Sequence, residues 1–471
     1  MDTLHLDLEQ ETAIKKMISG NNVFMTGKAG TGKSTVIQEF KKRCNKQMVC
    51  LAPTGIAALN IYGQTIHSFF HFPVGVLNAD NLKAPDNKLQ QLFQTTEVIL
   101  LDEISMIRSD LFQAIDITLR RCAPKGLKEV PFGGKQIIAV GDFFQLAPVV
   151  STSEEKEYLY HELGGIYAFQ TRAWENADFE NIILKNVHRQ SDPVFLEILE
   201  AVRTGQFEYW HDMVIGERWL RDDYTVTVEG DYLCDLNKLC RPGPINPTST
   251  TLCTTRQNTY RINQRAFENI CGYEASFAAE AEGEFSYDDF PVECMLKLKI
   301  GMRVMLRSNK YRKGECVYVN GDIGNVVSWT FGLNPMVIVK LENDMIVNVE
   351  KTTWMNYRYD LKTGTDGRRS IMQVPVGWFT QIPLAPAYAI TVHKAQGLTL
   401  NGINLILGRG CFANGQLYTA LSRSRSINKI ALDRPVELED SLVAEEVVKF
   451  YERIELPEKL IQAWYLKHYG D

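Results

Sequence analysis

Several features of common protein classes are missing from this sequence. It has no run of about 18 apolar residues, which argues against an ordinary membrane-spanning helix. Its first residues lack the basic and apolar regions of a signal peptide, and its ten cysteines form neither a C-x-x-C pair nor a disulfide-like pattern. We therefore expect a cytosolic protein with reduced thiols and no membrane partner.

Positive charge is in slight deficit. The 471 residues carry 51 Lys and Arg against 57 Asp and Glu, a net charge of −6, which argues weakly against a nucleic-acid partner. The charges are segregated, however: all seven between Glu274 and Glu293 are acidic, and all seven between Lys297 and Lys313 are basic. A solvated face is the simple interpretation of the acidic block. For the basic block, a surface that follows nucleic-acid phosphates is an equal alternative.

Short β-branched runs alternate with helical stretches through about the first 185 residues. The runs begin at Val23, Val49, Val98 and Ile137. This alternation predicts an α/β fold in which helices cover a parallel sheet. A polar stretch over residues 71–94, which contains two prolines, interrupts the pattern as a surface insertion.

The rest of the chain changes character twice. Residues 204–249 are irregular and end in a proline-rich run, after which a strand resumes at Thr251. Between about residues 294 and 380 the pattern alternates and is punctuated by glycine, which predicts a small β-barrel inserted into a second α/β unit. Strand and helix signals return after Tyr388.

The most specific chemical signal is the segment Gly27-Lys28-Ala29-Gly30-Thr31-Gly32-Lys33-Ser34, which fits G-x-x-x-x-G-K-[ST] between a predicted strand and a predicted helix. Its backbone amides can cradle phosphates, while Lys33 would neutralise the β- and γ-phosphates and the Ser34 hydroxyl would hold Mg²⁺. A glycine-rich turn without a ligand is the alternative. We predict ATP and Mg²⁺ as ligands, and the candidate nucleotide contacts here are Gly27, Gly30, Thr31, Gly32, Lys33, Ser34 and Thr35.

Polar residues follow two further strands of the predicted sheet. Asp102 and Glu103 come directly after the strand at Val98, where open α/β sheets bind ligands. Asp102 would contact Mg²⁺, and Glu103 would orient and deprotonate the attacking water. Gln145, after the strand at Ile137, is a candidate sensor of the γ-phosphate. Gln10, ahead of the phosphate loop, is a candidate reader of adenine, with an exposed helix residue as the alternative.

Taken in order, these segments resemble the motifs of superfamily-one helicases, and they are similar to the Pif family of superfamily one B, in its bacterial type. The further segments that carry the resemblance are 52–58 with 65–70 (motif Ia), 101–106 (motif II), 141–146 (motif III), 187–190 leading into 195–199 (motif IV and the family signature), 389–397 (motif V) and 416–423 (motif VI). The resemblance extends over nearly the whole chain.

The resemblance implies roles that spacing alone does not. Arg189 and Arg423 would reach the γ-phosphate of ATP from a second RecA-like domain, which makes them catalytic candidates beside Lys33, Glu103 and Gln145. Gly397 would belong to the same nucleotide site. The implied DNA contacts are Thr54, Gly55, His67, Phe69, His393 and Lys394.

The resemblance also implies an architecture of two tandem RecA-like P-loop domains with two insertions. We expect a first RecA-like domain over residues 1–185, with a strand-separating wedge at about 67–95. The second RecA-like domain would begin at 186–293 and finish at 379–471. A Src-homology-three-like barrel at 294–378 would interrupt it. The stretch 204–249 is longer than expected for bacterial members of the family.

The implied function is a MgATP-driven 5′-to-3′ DNA helicase that tracks on single-stranded DNA and opens forked or tailed duplexes. G-quadruplex DNA is an open further substrate, and roles in repair and recombination fit the family. We expect a monomer in the bacterial cytoplasm, or a nuclear or mitochondrial location if the chain is a trimmed eukaryotic core. Other superfamily-one motors, an RNA-directed relative and a nucleotide-gated scaffold are the alternatives.

Overall fold

The computed structural model describes residues 6–215, 224–242, 246, 248–312, 315–332, 334–364 and 367–455. These residues cluster into two compact units, each assembled from separate chain segments. The first unit comprises residues up to 143, 147–188 and 270–386. The second comprises residues 144–146, 189–269 and those from 387 onward.

Strands and helices alternate up to residue 188, as predicted. The strands are β1 (Val23–Gly27), β2 (Met48–Ala52), β3 (Gln64–Thr65), β4 (Val98–Leu101), β5 (Gln136–Val140) and β6 (Glu180–Leu184). The helices are α1 (Leu8–Ser19), α2 (Lys33–Arg43), α3 (Gly55–Asn60), α4 (Ile66–Phe70), α5 (Asn87–Thr95), α6 (Ser109–Cys122), α7 (Ser153–Leu163) and α8 (Arg172–Ala177).

These strands form one six-stranded sheet in the order β3-β2-β4-β5-β1-β6. Every ladder in it is parallel, so the carboxyl ends of its strands meet at one edge, where ligands of open α/β sheets bind. Every residue of β1, β4 and β5 is buried, as expected for strands covered on both faces. The predicted parallel core is confirmed.

The chain from residue 189 to 269 contains α9 (Pro193–Thr204), β7 (Glu208–Ile215), β8 (Tyr224–Asp231), α10 (Tyr232–Leu239), β9 (Arg241–Pro242), β10 (Thr250–Cys253) and α11 (Arg256–Asn269). The prediction of an irregular stretch at 204–249 is therefore wrong for most of its length. β7 and β8 pair as an antiparallel hairpin, and α10 follows it directly. The sequence signal of β8 is the period-two alternation of Tyr224, Val226 and Val228. The proline-rich run at the end of the 204–249 stretch obscured this signal.

Residues 270–386 are almost entirely β-structure. The strands are β11 (Glu274–Ala278), β12 (Glu280–Gly283), β13 (Met295–Lys299), β14 (Arg303–Leu306), β15 (Lys310–Arg312), β16 (Glu315–Tyr318), β17 (Ile323–Thr330), β18 (Met336–Leu341), β19 (Ile346–Glu350), β20 (Thr352–Thr363), β21 (Arg369–Gln381) and β22 (Leu384–Pro386). A five-stranded antiparallel sheet has the order β19-β18-β17-β14-β22. No ladder among the described residues joins its outer strands, so this sheet is open where a closed barrel was predicted.

The long β20–β21 hairpin contacts the first parallel sheet within the first unit. The Tyr359 hydroxyl accepts a hydrogen bond from the Cys50 backbone N–H in β2 at 2.9 Å, and the Tyr359 N–H donates to Gln64 Oε1 at 3.1 Å. Burial raises the pKa of the Tyr359 phenol far above its ordinary value. An ion pair between Lys88 in α5 and Asp360, at 2.7 Å, lies beside it. These contacts explain why residues 270–386 cluster with the first unit.

The remainder of the second unit completes a second parallel sheet. It contains β23 (Ala389–Thr391), β24 (Ile403–Ile406), α12 (Gln416–Leu421), β25 (Ile430–Leu432) and α13 (Glu445–Glu455). The sheet has five strands in the order β23-β10-β24-β25-β9, and its ladders are all parallel. Within the described ranges, no helix is both long enough and apolar enough to span a lipid bilayer.

Candidate nucleotide and nucleic-acid sites

The phosphate loop connects β1 to α2 in the first unit. Gly27, Gly30 and Gly32 have φ angles of 156°, 86° and 82°, which side-chain-bearing residues rarely adopt. A Cβ at Gly27 would lie 2.9 Å from Thr31 Oγ1 and 3.0 Å from Leu184 Cβ, so that position also has no room for a side chain. The loop therefore has the close backbone turn that a phosphate cradle requires.

Lys33 begins α2 and folds back over this loop. Its Nζ donates hydrogen bonds to the carbonyl oxygens of Gly27 at 2.7 Å and Lys28 at 3.2 Å. The next residue, Ser34, is exposed in the first turn of the helix, and the Thr35 N–H bonds to the Gly32 carbonyl at 2.9 Å. An ammonium group and a helix N-terminus thus converge on the loop, which is an arrangement that attracts phosphate.

The two predicted acids follow β4 at the same edge of the sheet. Burial and the neighbouring Glu103 charge raise the pKa of Asp102, whereas the Lys33 charge acts to lower it. Lys33 and Asp102 are therefore close enough to interact electrostatically. Glu103 has φ 52° and ψ 48°, a left-handed conformation that is strained for a residue with a side chain. Such strain is typical of functional positions.

This geometry fits a magnesium ion that is bound together with a nucleotide. Mg²⁺ usually takes one or two protein oxygens and completes its shell with phosphates and water, and the Ser34 hydroxyl and Asp102 carboxylate are oxygens of that kind. Elsewhere in the part of the chain that the structure describes, no group of three or more His, Cys, Asp or Glu side chains could hold a metal ion.

Gln10 lies against the phosphate loop and is only 4% exposed, so the alternative of an exposed helix residue is wrong. Its Nε2 donates to the Thr31 carbonyl at 3.3 Å, and its Oε1 accepts from the Asp7 N–H at 3.2 Å. The Asp7 carboxylate in turn accepts from the Gln10 N–H at 2.8 Å, which completes a capping box at the start of α1. The amide is therefore fixed at the edge of the predicted nucleotide site.

Gln145 belongs to the second unit, with Phe144 and Leu146. The Phe144 ring lies 4.1 Å from the Arg203 guanidinium carbon, and the same guanidinium is 5.0 Å from the Tyr451 ring. Arg203 is in α9 and Tyr451 is in α13, so these cation–π contacts fix the segment beside Gln145 inside its own unit.

Arg189 and Arg423 lie on either side of Ser422 in the second unit. Arg189 Nη1 donates to the Ser422 carbonyl at 3.1 Å, and Arg423 Nη2 donates to the Ser422 hydroxyl at 2.9 Å. Arg423 is only 2% exposed and also donates to the Thr419 carbonyl at 2.9 Å. Burial and the charge of Arg425 lower the pKa of Arg189. The structure thus brings the two predicted arginines together.

The predicted DNA contacts fall at loop and helix starts in each unit. Thr54 is exposed at the start of α3, and its Oγ1 accepts from the Ala57 N–H at 3.3 Å. His67 is half-buried in α4, and its pKa is lowered by burial and by Arg108. In the second unit, Lys394 is exposed, while burial and Arg256 lower the pKa of the half-buried His393.

Comparisons with known proteins agree with this geometry. A family profile described as PIF1-like helicase matches residues 5–215. The chain is 30% identical to the ATP-dependent DNA helicase Pif1 of Bdellovibrio bacteriovorus, over 96% of this chain and 93% of that protein. The chain belongs to the PIF1-like helicase family. The predicted Pif resemblance is confirmed.

A second relative within the PIF1-like family is the ATP-dependent DNA helicase PIF1 of Danio rerio. It is 30% identical over 97% of this chain, which spans 65% of the length of that protein. Among solved structures, Bacteroides sp Pif1 in complex with ADP-AlF4 has a TM-score of 0.81 at 30% identity and covers 96% of this chain and 97% of its own. The Bacteroides protein bound to single-stranded DNA has a TM-score of 0.62 at the same identity and the same coverage.

One site prediction drawn from the PIF1-like motifs needs correction. Phe69 was expected to contact DNA, but it is only 2% exposed. Its ring packs against Phe70, Phe93 and Tyr359 at centroid distances of 5.0, 5.4 and 5.9 Å. Burying a phenyl ring in an aromatic cluster stabilises the core and removes it from solvent, so Phe69 is a packing residue in this structure.

Three of the seven residues of the basic block form ion pairs within the first unit, so part of the charge of that block is already met by acidic side chains. Lys297 pairs with Glu274 at 3.2 Å, Arg303 with Glu342 at 2.6 Å, and Lys310 with Glu350. The first pair joins the basic block to the acidic block. Lys313 lies outside the described residues.

Sequence analysis of the PIF1-like motifs missed two residues of motif IV that neighbour the candidate sites. Gln190 donates to the carbonyls of Ser422 at 3.0 Å and Ser424 at 2.8 Å, beside the two arginines. His188 donates its backbone N–H to Gly30 of the phosphate loop at 2.9 Å. Their position next to Arg189 in the chain was the available signal.

Proposed function

We propose that this protein is an ATP-dependent DNA helicase that moves 5′-to-3′ along single-stranded DNA and separates the strands of tailed or forked duplexes. The observation that carries the proposal is the P-loop of the first unit, in which the Lys33 ammonium group folds over the loop and acts electrostatically on Asp102. Asp102 follows β4, which is separated from β1 in the sheet by β5. Membership of the PIF1-like helicase family supports the general class of ATP hydrolase and DNA helicase.

The chemistry of hydrolysis assigns a task to each group. The Ser34 hydroxyl and the Asp102 carboxylate would hold Mg²⁺, which when bound supplies positive charge to the phosphate oxygens. Glu103 would take a proton from the attacking water as the water oxygen bonds to the γ-phosphorus and ADP leaves. Gln145 would sense whether the γ-phosphate is present. Lys33 would balance the charge that develops on the phosphoryl group.

The two arginines would complete this set as sources of fixed positive charge. A guanidinium keeps its proton at any physiological pH and donates in a planar fork that matches phosphoryl oxygens. Arg189 and Arg423 already converge on Ser422 within their own unit, so one shift of that region would move both. Gly397, with φ 80°, follows the short helical turn that carries His393 and Lys394, which makes it a candidate link between nucleotide and DNA contacts.

Translocation needs two DNA-holding surfaces whose grip alternates with the nucleotide state. We propose Thr54, Gly55 and His67 for one surface. His393 and Lys394 form the other. A hydroxyl, a backbone amide, an ammonium and imidazole rings suit phosphate and base contacts that do not depend on sequence. Binding should therefore weaken with added salt despite the net charge of −6.

The two insertions also enter the proposal. We propose that the open five-stranded sheet is the counterpart of the Src-homology-three-like subdomain and that residues 67–95 form the strand-separating wedge. The tandem RecA-like boundaries given above remain predictions, as do G-quadruplex unwinding, the monomeric state and a bacterial cytoplasmic location. The Bacteroides Pif1 has been solved bound to single-stranded DNA, and a further similar structure concerns DNA unwinding at forked double-stranded DNA by two coordinating Pif1 helicases. Both support DNA as the partner here.

Matched duplexes with a 5′ tail, a 3′ tail or no tail test the proposal. With MgATP under single-turnover conditions, the protein should release the strand of the 5′-tailed duplex and leave the other two nearly intact. Preferential release from the 3′-tailed duplex would contradict the polarity while leaving the ATP-driven motor in place. Stimulation of ATP hydrolysis by RNA but not by DNA would favour the RNA-directed alternative.

A further inference from the structure

Phe143 and Phe144 are consecutive residues whose rings pack in different units. The centroid of the Phe143 ring lies 5.5 Å from that of Phe24 in β1, within the first unit. The centroid of the Phe144 ring lies 4.7 Å from that of Tyr451 in α13, within the second unit. Residues 144–146 therefore belong to the second unit, although the chain on both sides of them belongs to the first.

Arg203 in α9 supplies a positive charge to this attachment. It is only 5% exposed, and its guanidinium carbon lies 4.1 Å from the Phe144 ring and 5.0 Å from the Tyr451 ring. Its Nη1 also donates to Glu200, one turn earlier in the same helix, at 3.2 Å. Cation–π attraction is strongest where water is excluded, so the Phe144 ring is held by a charge as well as by apolar packing.

A second attachment involves the backbone on either side of the Phe144–Gln145 peptide. Gly415, which immediately precedes α12, has φ 73°, and a Cβ there would lie 2.3 Å from the carbonyl oxygens of Phe144 and Gln145. The absence of a side chain allows the start of α12 to lie directly against these two residues. Arg423 follows the other end of α12. Gln145 and Arg423 are therefore both attached to this helix.

We propose that Arg203 is a positioning residue for ATP hydrolysis, which holds Phe144 so that the neighbouring Gln145 amide is aligned with Arg189 and Arg423. The inference rests on the proposed function, in which Gln145 senses the γ-phosphate. Groups that act on a transferring phosphoryl group must be placed accurately, because a displacement of about 1 Å can lower a rate about 100-fold. Three groups carried by one unit would then act as one set.

A residue that acts through Gln145 should matter only when Gln145 is present. Arg203→Ala in the full-length protein should lower DNA-stimulated kcat about tenfold and leave the KM for ATP within about threefold. In a Gln145→Ala background, the same substitution should lower kcat by a further factor of less than about two, because the group that it positions is gone. A merely structural role would cost the same factor in both backgrounds.

A second variant and a matched control complete the test. Phe144→Leu removes the ring and keeps an apolar side chain, so it should lower kcat about fivefold with Gln145 and less than about twofold without it. It replaces Arg203→Ala if thermal denaturation shows that variant to be unstable. Arg453→Ala removes a cation–π contact to Phe450 within α13, at 5.5 Å, and should leave kcat unchanged in both backgrounds.

Two results would overturn the inference. One is an equal loss of kcat with and without Gln145, which would make Arg203 a structural residue. The other is an unchanged kcat in the single variants of Arg203 and Phe144, or in Gln145→Ala. A parent protein that hydrolyses no ATP with single-stranded DNA present would instead refute the proposed function.

Discussion

Each of the two units contains a parallel sheet, and the two units differ in the charged groups that they carry. In the first unit, the strand ends present backbone amides, one ammonium group and the acids Asp102 and Glu103. In the second unit, Arg189 precedes α9 and Arg423 follows α12, and both donate to oxygens of Ser422. The first unit thus carries the groups proposed to hold ATP and Mg²⁺, and the second unit carries the two arginines proposed to supply positive charge.

The difference also concerns how charge is stabilised. Asp102 is a carboxylate whose ionised form is disfavoured by burial, so a nearby cation would stabilise it. Arg423 is the reverse case, a buried cation whose donors are met by neutral oxygens, including the Thr419 carbonyl. In the proposed function, the first unit would hold ATP and Mg²⁺, and the two arginines of the second unit would supply positive charge for phosphoryl transfer.

The largest effect is expected when the ammonium group of Lys33 is removed from the phosphate loop. Lys33→Ala should lower DNA-stimulated kcat about 1000-fold and leave affinity for single-stranded DNA within about twofold, because the lost charge acts on the transferring phosphoryl group. Steady-state hydrolysis and fluorescence anisotropy measure the two quantities. Lys42→Ala, at an exposed position of the same helix, is the control. Turnover within about threefold of the parent would refute the nucleotide site.

Removing the guanidinium fork from the second unit should have the next largest effect. Arg423→Lys keeps the charge and loses the planar geometry, so we expect kcat to fall about 100-fold with the KM for ATP within about threefold. Thermal denaturation separates this effect from the loss of the buried hydrogen bonds. Arg425→Lys, two residues along and exposed, should behave as the parent. Parallel losses of affinity and turnover would contradict a transition-state role.

A smaller effect is expected where the β20–β21 hairpin meets the first sheet. Tyr359→Phe leaves the Cys50 N–H without its acceptor, at a cost of about 2 kcal/mol. Hydrogen exchange of the β2 peptide should become about 30-fold faster, as that cost implies. Tyr311→Phe, at an exposed ring in β15, is the matched control. Unchanged exchange in β2 would mean that the hairpin does not protect this strand.

The smallest effect concerns the start of α3. The Asp289 carboxylate lies against Gly55, so that a side chain on Gly55 would collide with it, and Gly55 is a proposed phosphate contact. Asp289→Asn removes a negative charge and should tighten binding of single-stranded DNA about threefold at low salt, with the gain fading as salt rises. Glu282→Gln, exposed in β12, controls for net charge. Equal gains in both variants would assign the effect to net charge alone.

The sequence was most informative where local patterns determine structure. β-branched runs that end at Gly27 and Asp102 predicted two strands of the parallel sheet, because continuous apolar runs suit strands buried on both faces. The phosphate loop was predictable because its glycines have a conformational requirement that few other residues meet. Strand order was not needed for either prediction.

Features that depend on contacts distant in sequence could not be predicted. Tyr359 meets Cys50 across 309 residues of chain, so no local pattern reports that pairing. The same contact region covers Phe69, which is why an apparently available aromatic residue proved to be core. The pairing of Lys297 with Glu274 likewise depends on which strands become neighbours. Local periodicity specifies the strands and leaves their partners open.

The division into two units has a consequence for how the protein is made. The chain passes between the units five times, so neither unit is a continuous segment. The first unit needs residues up to 386, and β23 to β25 of the second sheet follow even later. A growing chain would therefore add 309 residues after Cys50 in β2 before the partner of that residue, Tyr359, emerges. Contacts of such long sequence separation slow folding and prolong the exposure of apolar strands, which favours dependence on chaperones during translation.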